Sequence, residues 1–335
     1  MENVAEFALP AGTLDDLGRI TNEDAASAAI RDAMRGLGVK ASFAGSVLTR
    51  FGYGIRCVSS MPSTLSAIDT FPQTKNIHDP KRARRNAELR AAEFAKDPPL
   101  DKIDDCSVVV QNLADTQQMV VVKTLREALL QRDRVFRSAG CGVILEHEGW
   151  AFLRALPNAQ AVVDIGRRRT LLVARSKIGV PICVTFKFGG EAIAERVSRG
   201  AALDDQQTEH RMRSEGVDAD FSADWLVDQF VGELEHEIKR LTHDRNILIQ
   251  RIVLTGNGSR IPGLLERIRA KTMTDVKLAG LEGVRSDQIP PKVLADAGPS
   301  LTLAIGLAAG GAPAETEAPV DAGEPSTKRV EAQPA

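Results

Sequence analysis

The chain has 335 residues, of which 43% are hydrophobic, enough for about two globular domains with ordinary cores. Its formal net charge is only −2, which argues against a bulk polyanion binder. Aromatics make up 4%, with two Trp and one Tyr, too few for a surface built on base stacking.

Cys57, Cys106, Cys141 and Cys183 lie far apart and form no Cys-x-x-Cys or Cys/His ligand pattern, so reduced, partly buried thiols are expected. No basic-plus-apolar leader is visible, and no apolar run approaches the ~20 residues a membrane span requires. The expected location is cytoplasmic, with membrane association only through a partner.

Residues 3–9 read as a short extended piece that Pro10-Ala11-Gly12 turns toward a helix over about residues 22–37. There Ala25, Ala29, Met34 and Leu37 recur near helical spacing, and Gly38 stops the helix. Segments 46–49 and 55–58 read as paired strands around the Phe51-Gly52-Tyr53-Gly54 turn. Residues 75–96 are dense in charge. Lys81-Arg82-Ala83-Arg84-Arg85 suggests a nucleic-acid patch, but mixed signs at helical spacing favour a solvated amphipathic helix ended by Pro98-Pro99.

Strands follow at 106–111 and 119–122. A helix over 125–138 is expected to point Leu129, Leu130 and Val135 inward and Arg132 and Arg134 outward, with Gly140 at its end. A strand at 143–145 and a helix turn at 150–153 complete an alternation that indicates an α/β lobe.

Residues 161–173 are the central stretch. An apolar run reaches Asp164-Ile165-Gly166, passes Arg167-Arg168-Arg169 and continues from Thr170 as a second apolar run, which reads as a hairpin. Glycine there lets backbone approach a ligand, exposed N–H groups can face a phosphate, and Asp164 can hold Mg²⁺ through water. Asp-x-Gly is equally an ordinary turn, and both readings stand at this point.

Next come a strand at 182–186, Gly189-Gly190 and a helix over 191–198. Residues 204–220 are polar and read as mobile. Leu226, Phe230, Leu234, Ile238 and Leu241 form a helical stripe over about 223–243, supported by the Glu235/Lys239 pair. A strand at 252–255 runs into Gly256-Asn257-Gly258-Ser259, and Pro262 begins a helix over 263–270. N–H groups at that turn could receive a nucleotide, or the turn simply joins a strand to a helix. Residues 301–309 read as a small-residue core helix, and residues 312–335 as a disordered tail rich in Ala, Pro and Glu.

In this order the elements resemble the actin/Hsp70 ATPase superfamily, and within it the PilM-like type IV pilus assembly proteins, which are similar to FtsA. The resemblance rests on Leu9-Pro10 with the following acidic helix, Val47 to Pro62, Val135 to Ala155 including Ser138-Ala139-Gly140 and residues 150–155, Val163-Asp164-Ile165-Gly166, Phe188-Gly189-Gly190, Glu237-Ile238-Lys239-Arg240, Leu254 to Gly258, and Ala304 to Ala308. It covers about residues 3–309. It implies an α/β chain with the two-lobed actin-like (RNase H-like) ATPase fold and a small inserted α/β subdomain in the first lobe. The implied division is 1–159 for the first lobe with the insert at about 40–115, and 160–311 for the second lobe.

The same resemblance implies ATP or ADP with Mg²⁺, contacted by Asp164, Gly166, Arg167, Thr170, Gly189, Gly190, Glu209, Gly256, Asn257, Gly258 and Ser259, with Asp164 on the metal. It implies no catalytic residue and at most a weak ATPase. It further implies a scaffold peripheral at the inner membrane that binds the cytoplasmic N-terminal peptide of a PilN-like protein, in a groove formed by the first lobe and its insert. Self-association is a second expectation, nucleic acid is not one, and competence or type II secretion-like machines are related settings.

Three departures matter. No Asp-x-Gly turn followed by Lys or Ser precedes Asn3, and losing one preorganised phosphate clamp costs on the order of 3 kcal/mol in transition-state stabilisation. Arg167-Arg168-Arg169 stands where relatives carry small or polar residues, either as a solvated strand edge or as a neutraliser of phosphate charge. Glu209 is followed by Met212 where relatives place Lys at the ribose. An ATP-dependent kinase of the superfamily would need the first phosphate turn and a positioned base, neither of which is found. An FtsA- or MreB-like filament protein is the other alternative, although residues 310–335 lack the apolar face of a membrane anchor.

Overall fold

The computed structural model describes residues 9–36, 56–72, 94, 98–113, 118–219, 221–280 and 291–310. The expected strands at 46–49, the charged helix at 75–96 and the tail lie wholly or almost wholly outside these residues.

At the centre, β6 (Ala161–Ile165) and β7 (Thr170–Arg175) form the expected antiparallel hairpin, with Val163 opposite Leu172. They are the middle of a five-stranded sheet in the order β10 (Asp275–Leu278), β9 (Arg251–Thr255), β6, β7, β8 (Pro181–Phe186). Strands β6, β9 and β10 run parallel, while β7 and β8 are antiparallel to their neighbours.

Period-two alternation then decides what each face carries. Ala161, Val163, Ile165, Leu172 and Ala174 point to a large core closed by three helices, α4 (Gly190–Ala201), α6 (Phe221–Arg245) and α7 (Leu264–Thr272). The predicted stripe of α6 supplies Phe230, Leu234, Ile238 and Leu241 to it, and Phe188 stacks on Phe230 at 3.9 Å between ring centroids. Val162, Leu171 and Val173 point to the opposite face, against Phe152 and Leu153 of α3 (Glu148–Ala155) and Leu303 of α8 (Pro291–Gly310). Asp164 shares the parity of Val162 and therefore emerges on the α3 face.

Two smaller sheets come from earlier in the chain. β1 (Arg56–Met61) pairs in parallel with β5 (Gly142–His147), and β2 (Ser66–Pro72), β4 (Gln118–Leu125) and β3 (Cys106–Leu113) form an antiparallel sheet in that order. Helices α1 (Glu23–Gly36) and α2 (Arg126–Ser138) pack beside β1 and β5. Asn22 caps α1 by accepting the Ala25 N–H at 3.0 Å.

Three expectations need correction. In α2 the inward face is Ala128, Arg132 and Val135, while Leu130 is 47% exposed. Arg132 is buried with its guanidinium donating to the carbonyls of Gly18 at 2.9 Å and Ser60 at 3.3 Å, which offsets part of the cost of burying the cation. Residues 204–219 are ordered. Asp204 and Gln207 form a reciprocal capping box that starts α5 (Asp205–Ser214), and a 3-10 turn, Gly216–Ala219, follows. The closing helix is longer than 301–309, beginning at Pro291 and passing through Pro299.

Among the described residues no helix is long and apolar enough to cross a membrane. Helix α8 returns to the first half of the chain, where Gly306 lies directly against the backbone of Ala151 in α3 and Arg154 donates to its carbonyl at 2.8 Å.

Candidate functional site

The hairpin turn from Gly166 to Arg169 projects from the sheet toward the earlier part of the chain, and its three arginines take different partners. Arg167 pairs with Glu191 of α4 at 2.8 Å, and Arg168 bridges Glu191 at 2.8 Å and Asp16 at 2.8 Å. Arg169 turns inward and grips both oxygens of Glu148 at 2.9 and 2.8 Å. Glu148 stands at the start of α3 with its side chain only 3% exposed, and it accepts the Ser63 N–H at 2.7 Å as well.

This geometry sets the electrostatics. Burial raises the Glu148 carboxyl, but the Arg169 charge and hydrogen bonds and the Ser63 N–H outweigh it and hold Glu148 below the usual carboxylate range. Glu191 is likewise held low by Arg168 and Arg167 against its burial. Burial keeps His147 neutral: its Nδ1 accepts the Gly149 N–H at 3.0 Å, so Nε2 carries the proton toward the Ser66 carbonyl at 3.2 Å. Burial and the Glu148 charge also push the Cys183 thiol up.

Asp164 is the outlier. It is partly exposed at the end of β6, yet its carboxyl lies deep among protein atoms, and among the described residues it has no hydrogen-bond partner. Burial first, and then the Glu148 charge, push it up to about 7, with Arg169 opposing. Its folded value therefore exceeds its unfolded one. The folded state binds a proton that the unfolded chain has already lost, and stability falls as pH rises from about 4 to about 7. Urea unfolding from pH 4 to 8 should show Asp164→Asn equal to the parent at pH 4 and more stable at pH 8. Parallel pH curves for the two proteins would refute the assignment.

The other expected ligand groups are placed as follows. The Thr170 hydroxyl is fully buried and donates to the Phe188 carbonyl at 2.9 Å. Gly166 N–H donates to Arg169 O, Gly190 N–H to Gly166 O and Glu191 N–H to Arg167 O, so the start of α4 is bonded to the hairpin turn. Gly189 lies flat on that turn: a Cβ there would overlap the Arg167 carbonyl and come 2.7 Å from Arg168 N. In the other turn Gly256, at φ +79°, would bring a Cβ 2.7 Å from Asp164 Oδ1. Its N–H donates to the Pro299 carbonyl of α8, and the buried Ser259 hydroxyl donates back to Gly256 O at 2.7 Å. Asn257 is exposed. Glu209 sits on the outside of α5, paired with Arg213.

The structure thus brings Asp164, Gly166, Gly189, Gly190, Gly256 and Gly258 together by backbone packing, and Glu209 is taken up elsewhere. The donors named above are already spent, and Asp164 is a single carboxylate whose neighbour Glu148 has both oxygens held by Arg169. Among the described residues no group of three metal-ligating side chains occurs. Sequence reasoning missed Glu148, Ser63 and Asp16. The available signal was Glu146-His147-Glu148 set in an otherwise apolar stretch, 143–153, where a buried carboxylate needs a partner.

Beside the turn runs a cleft of about 1080 Å³ whose walls come from both parts of the chain. Asp16, Ser63 and Leu100 face Arg168, Thr185 and Glu191 across it.

The family described as Type IV pilus assembly protein PilM matches this chain over residues 100–311. Among solved structures, a chain of the "PilM-PilN type IV pilus biogenesis complex" is 19% identical, with 92% of this chain and 90% of that chain covered and a TM-score of 0.72. The ethanolamine utilization protein EutJ from Carboxydothermus hydrogenoformans is 14% identical, with 88% and 77% covered and a TM-score of 0.53. At these identities the likeness establishes a shared fold, the two-lobed actin-like one. No curated protein sequence matches the chain.

Proposed function

The chain belongs to the type IV pilus assembly protein PilM family, and from that premise we propose that it is an actin-like scaffold docking the cytoplasmic N-terminal peptide of a PilN-like inner-membrane protein. The observation that carries this reading is the family match over residues 100–311, joined to a fold likeness spanning 92% of the chain. The geometry of the hairpin turn supports it from another side. A machine driven by nucleotide hydrolysis needs donors preorganised for developing phosphate charge. Here those of Gly166, Thr170, Gly190 and Glu191 serve the protein's own carbonyls. We therefore give ATP or ADP with Mg²⁺ no step in the scaffold's action, and we place the chain at the inner membrane through its partner alone.

Retention of the full chain on an immobilised synthetic N-terminal peptide of the PilN-like partner tests this. Equal retention with and without Mg-ATP, and none on a scrambled peptide, is the expected result. Failure to retain the chain in either condition would sink the docking role, and retention only with Mg-ATP would overturn the nucleotide-independent part.

A further inference from the structure

The three arginines of the turn all pair with carboxylates of this chain, and two of them reach across the cleft. Arg169 leaves the five-stranded sheet to grip Glu148 on α3, whose carboxylate also holds the Ser63 amide at the opposite wall. Arg168 reaches Asp16, a neighbour of Leu17, and Ser63 Oγ meets Thr185 Oγ1 of β8 at 3.1 Å. The Arg169–Glu148, Arg168–Asp16 and Ser63–Thr185 contacts each join a part of the chain before residue 160 to one after it, while the Glu148–Ser63 bond lies within the earlier part.

We propose that the Gly166–Arg169 turn is an interlobe clasp that keeps the cleft closed without nucleotide, with Arg169 and Glu148 as its buried latch and Arg168 with Asp16 as its outer catch. In a hinged two-lobe fold, whatever bridges the lobes sets the closed population, and it does so only by contacts made in the closed state and lost in the open one. A phosphate would bridge with its negative charge. Here Glu148 and Asp16 supply that charge from the earlier part of the chain, while Glu191, on the same side as the turn, pairs with Arg167 and Arg168.

The two pairs differ in weight. Arg168 is 42% exposed and Asp16 82% exposed, so solvent screens their attraction. Glu148 is nearly inaccessible, and opening would strand it. The latch should dominate and the catch should only trim the closed population.

X-ray scattering and amide hydrogen exchange on the full chain test the clasp. The parent should keep one radius of gyration with or without saturating Mg-ATP. In Arg169→Met the radius should grow, and exchange at the Ser63 amide and across β8 should accelerate on the order of a hundredfold. Arg168→Ala should move both readouts the same way but less. If Arg169→Met does not fold, the double variant Glu148→Gln/Arg169→Gln carries the same test without a lone buried ion. A variant radius equal to the parent's would show that the pair stabilises locally and clasps nothing, and contraction of the parent on adding Mg-ATP would hand closure back to the nucleotide. Either result overturns the proposal.

Discussion

Arg169→Met is expected to lower the unfolding free energy by about 3–5 kcal/mol at neutral pH, because it leaves the Glu148 carboxylate buried with no counterion. Methionine retains much of the arginine stem, so little of the loss comes from packing. The pH dependence separates this cause from a cavity. With Arg169 present, Glu148 is held below its ordinary value, so the stabilisation it contributes is present above that value and fades as pH falls through the folded one. Without Arg169 the carboxyl takes up a proton more readily, and the gap between variant and parent should shrink on acidification. Urea unfolding followed by circular dichroism at pH 7 and at pH 4 reads both effects. A gap independent of pH would mean that lost packing, and not a stranded charge, is responsible. Arg167→Ala is the internal control. Arg167 is 77% exposed, and its pair with Glu191 should contribute within about 0–1 kcal/mol.

The second large effect is expected at Gly306. A Cβ there would overlap the Ala151 carbonyl, and every close atom is backbone of the facing helix, so no side chain can swing aside. Gly306→Ala must push α8 away from α3, straining the Arg154 bond to the Gly306 carbonyl and the bond from Gly256 to the Pro299 carbonyl. A loss of about 3 kcal/mol is expected, at the upper end of ordinary overpacking costs. The same substitution at Gly232 on α6 should act in the opposite direction. Nothing lies within 4 Å of its would-be Cβ, and alanine gains up to about 1 kcal/mol over glycine inside a helix. Thermal unfolding of the two variants side by side should bracket the parent. If Gly306→Ala melts with the parent, the described approach of α3 and α8 is wrong.

What the sequence disclosed follows from the range of the interactions involved. The β6–β7 hairpin and the α6 stripe were legible because a period of two or of 3.6 is written into neighbouring residues, and the tertiary structure only had to accept it. The helix α2 was read with its face rotated because charge was taken as a sign of exposure. Arg132 is buried on carbonyls contributed by Gly18 and Ser60, and no local pattern announces such acceptors. The segment 204–219 was read as mobile from its lack of apolar residues, although Asp204 and Gln207 spell a capping box three residues apart.

The candidate site was legible only in its glycines. At Gly166, Gly189, Gly256 and Gly258 a Cβ would come to 3.0 Å or less from other atoms of this chain. What approaches them is this chain's own backbone, joined at Gly256 and Gly258 by the side chains of Asp164 and Ile165, and the charge partners of the turn lie 21 to 152 residues away in sequence.

Helix α8 touches α3 and β1 on one side and β9 with the Asn257–Arg260 turn on the other. A ribosome releases this helix after every other element described here, so during synthesis the Ala151 side of α3, against which Gly306 packs, waits without its cover. Folding of the two lobes is thereby made to finish together and late. A nascent chain interrupted before residue 291 would lack that cover and leave the Ala151 side of α3 open to solvent.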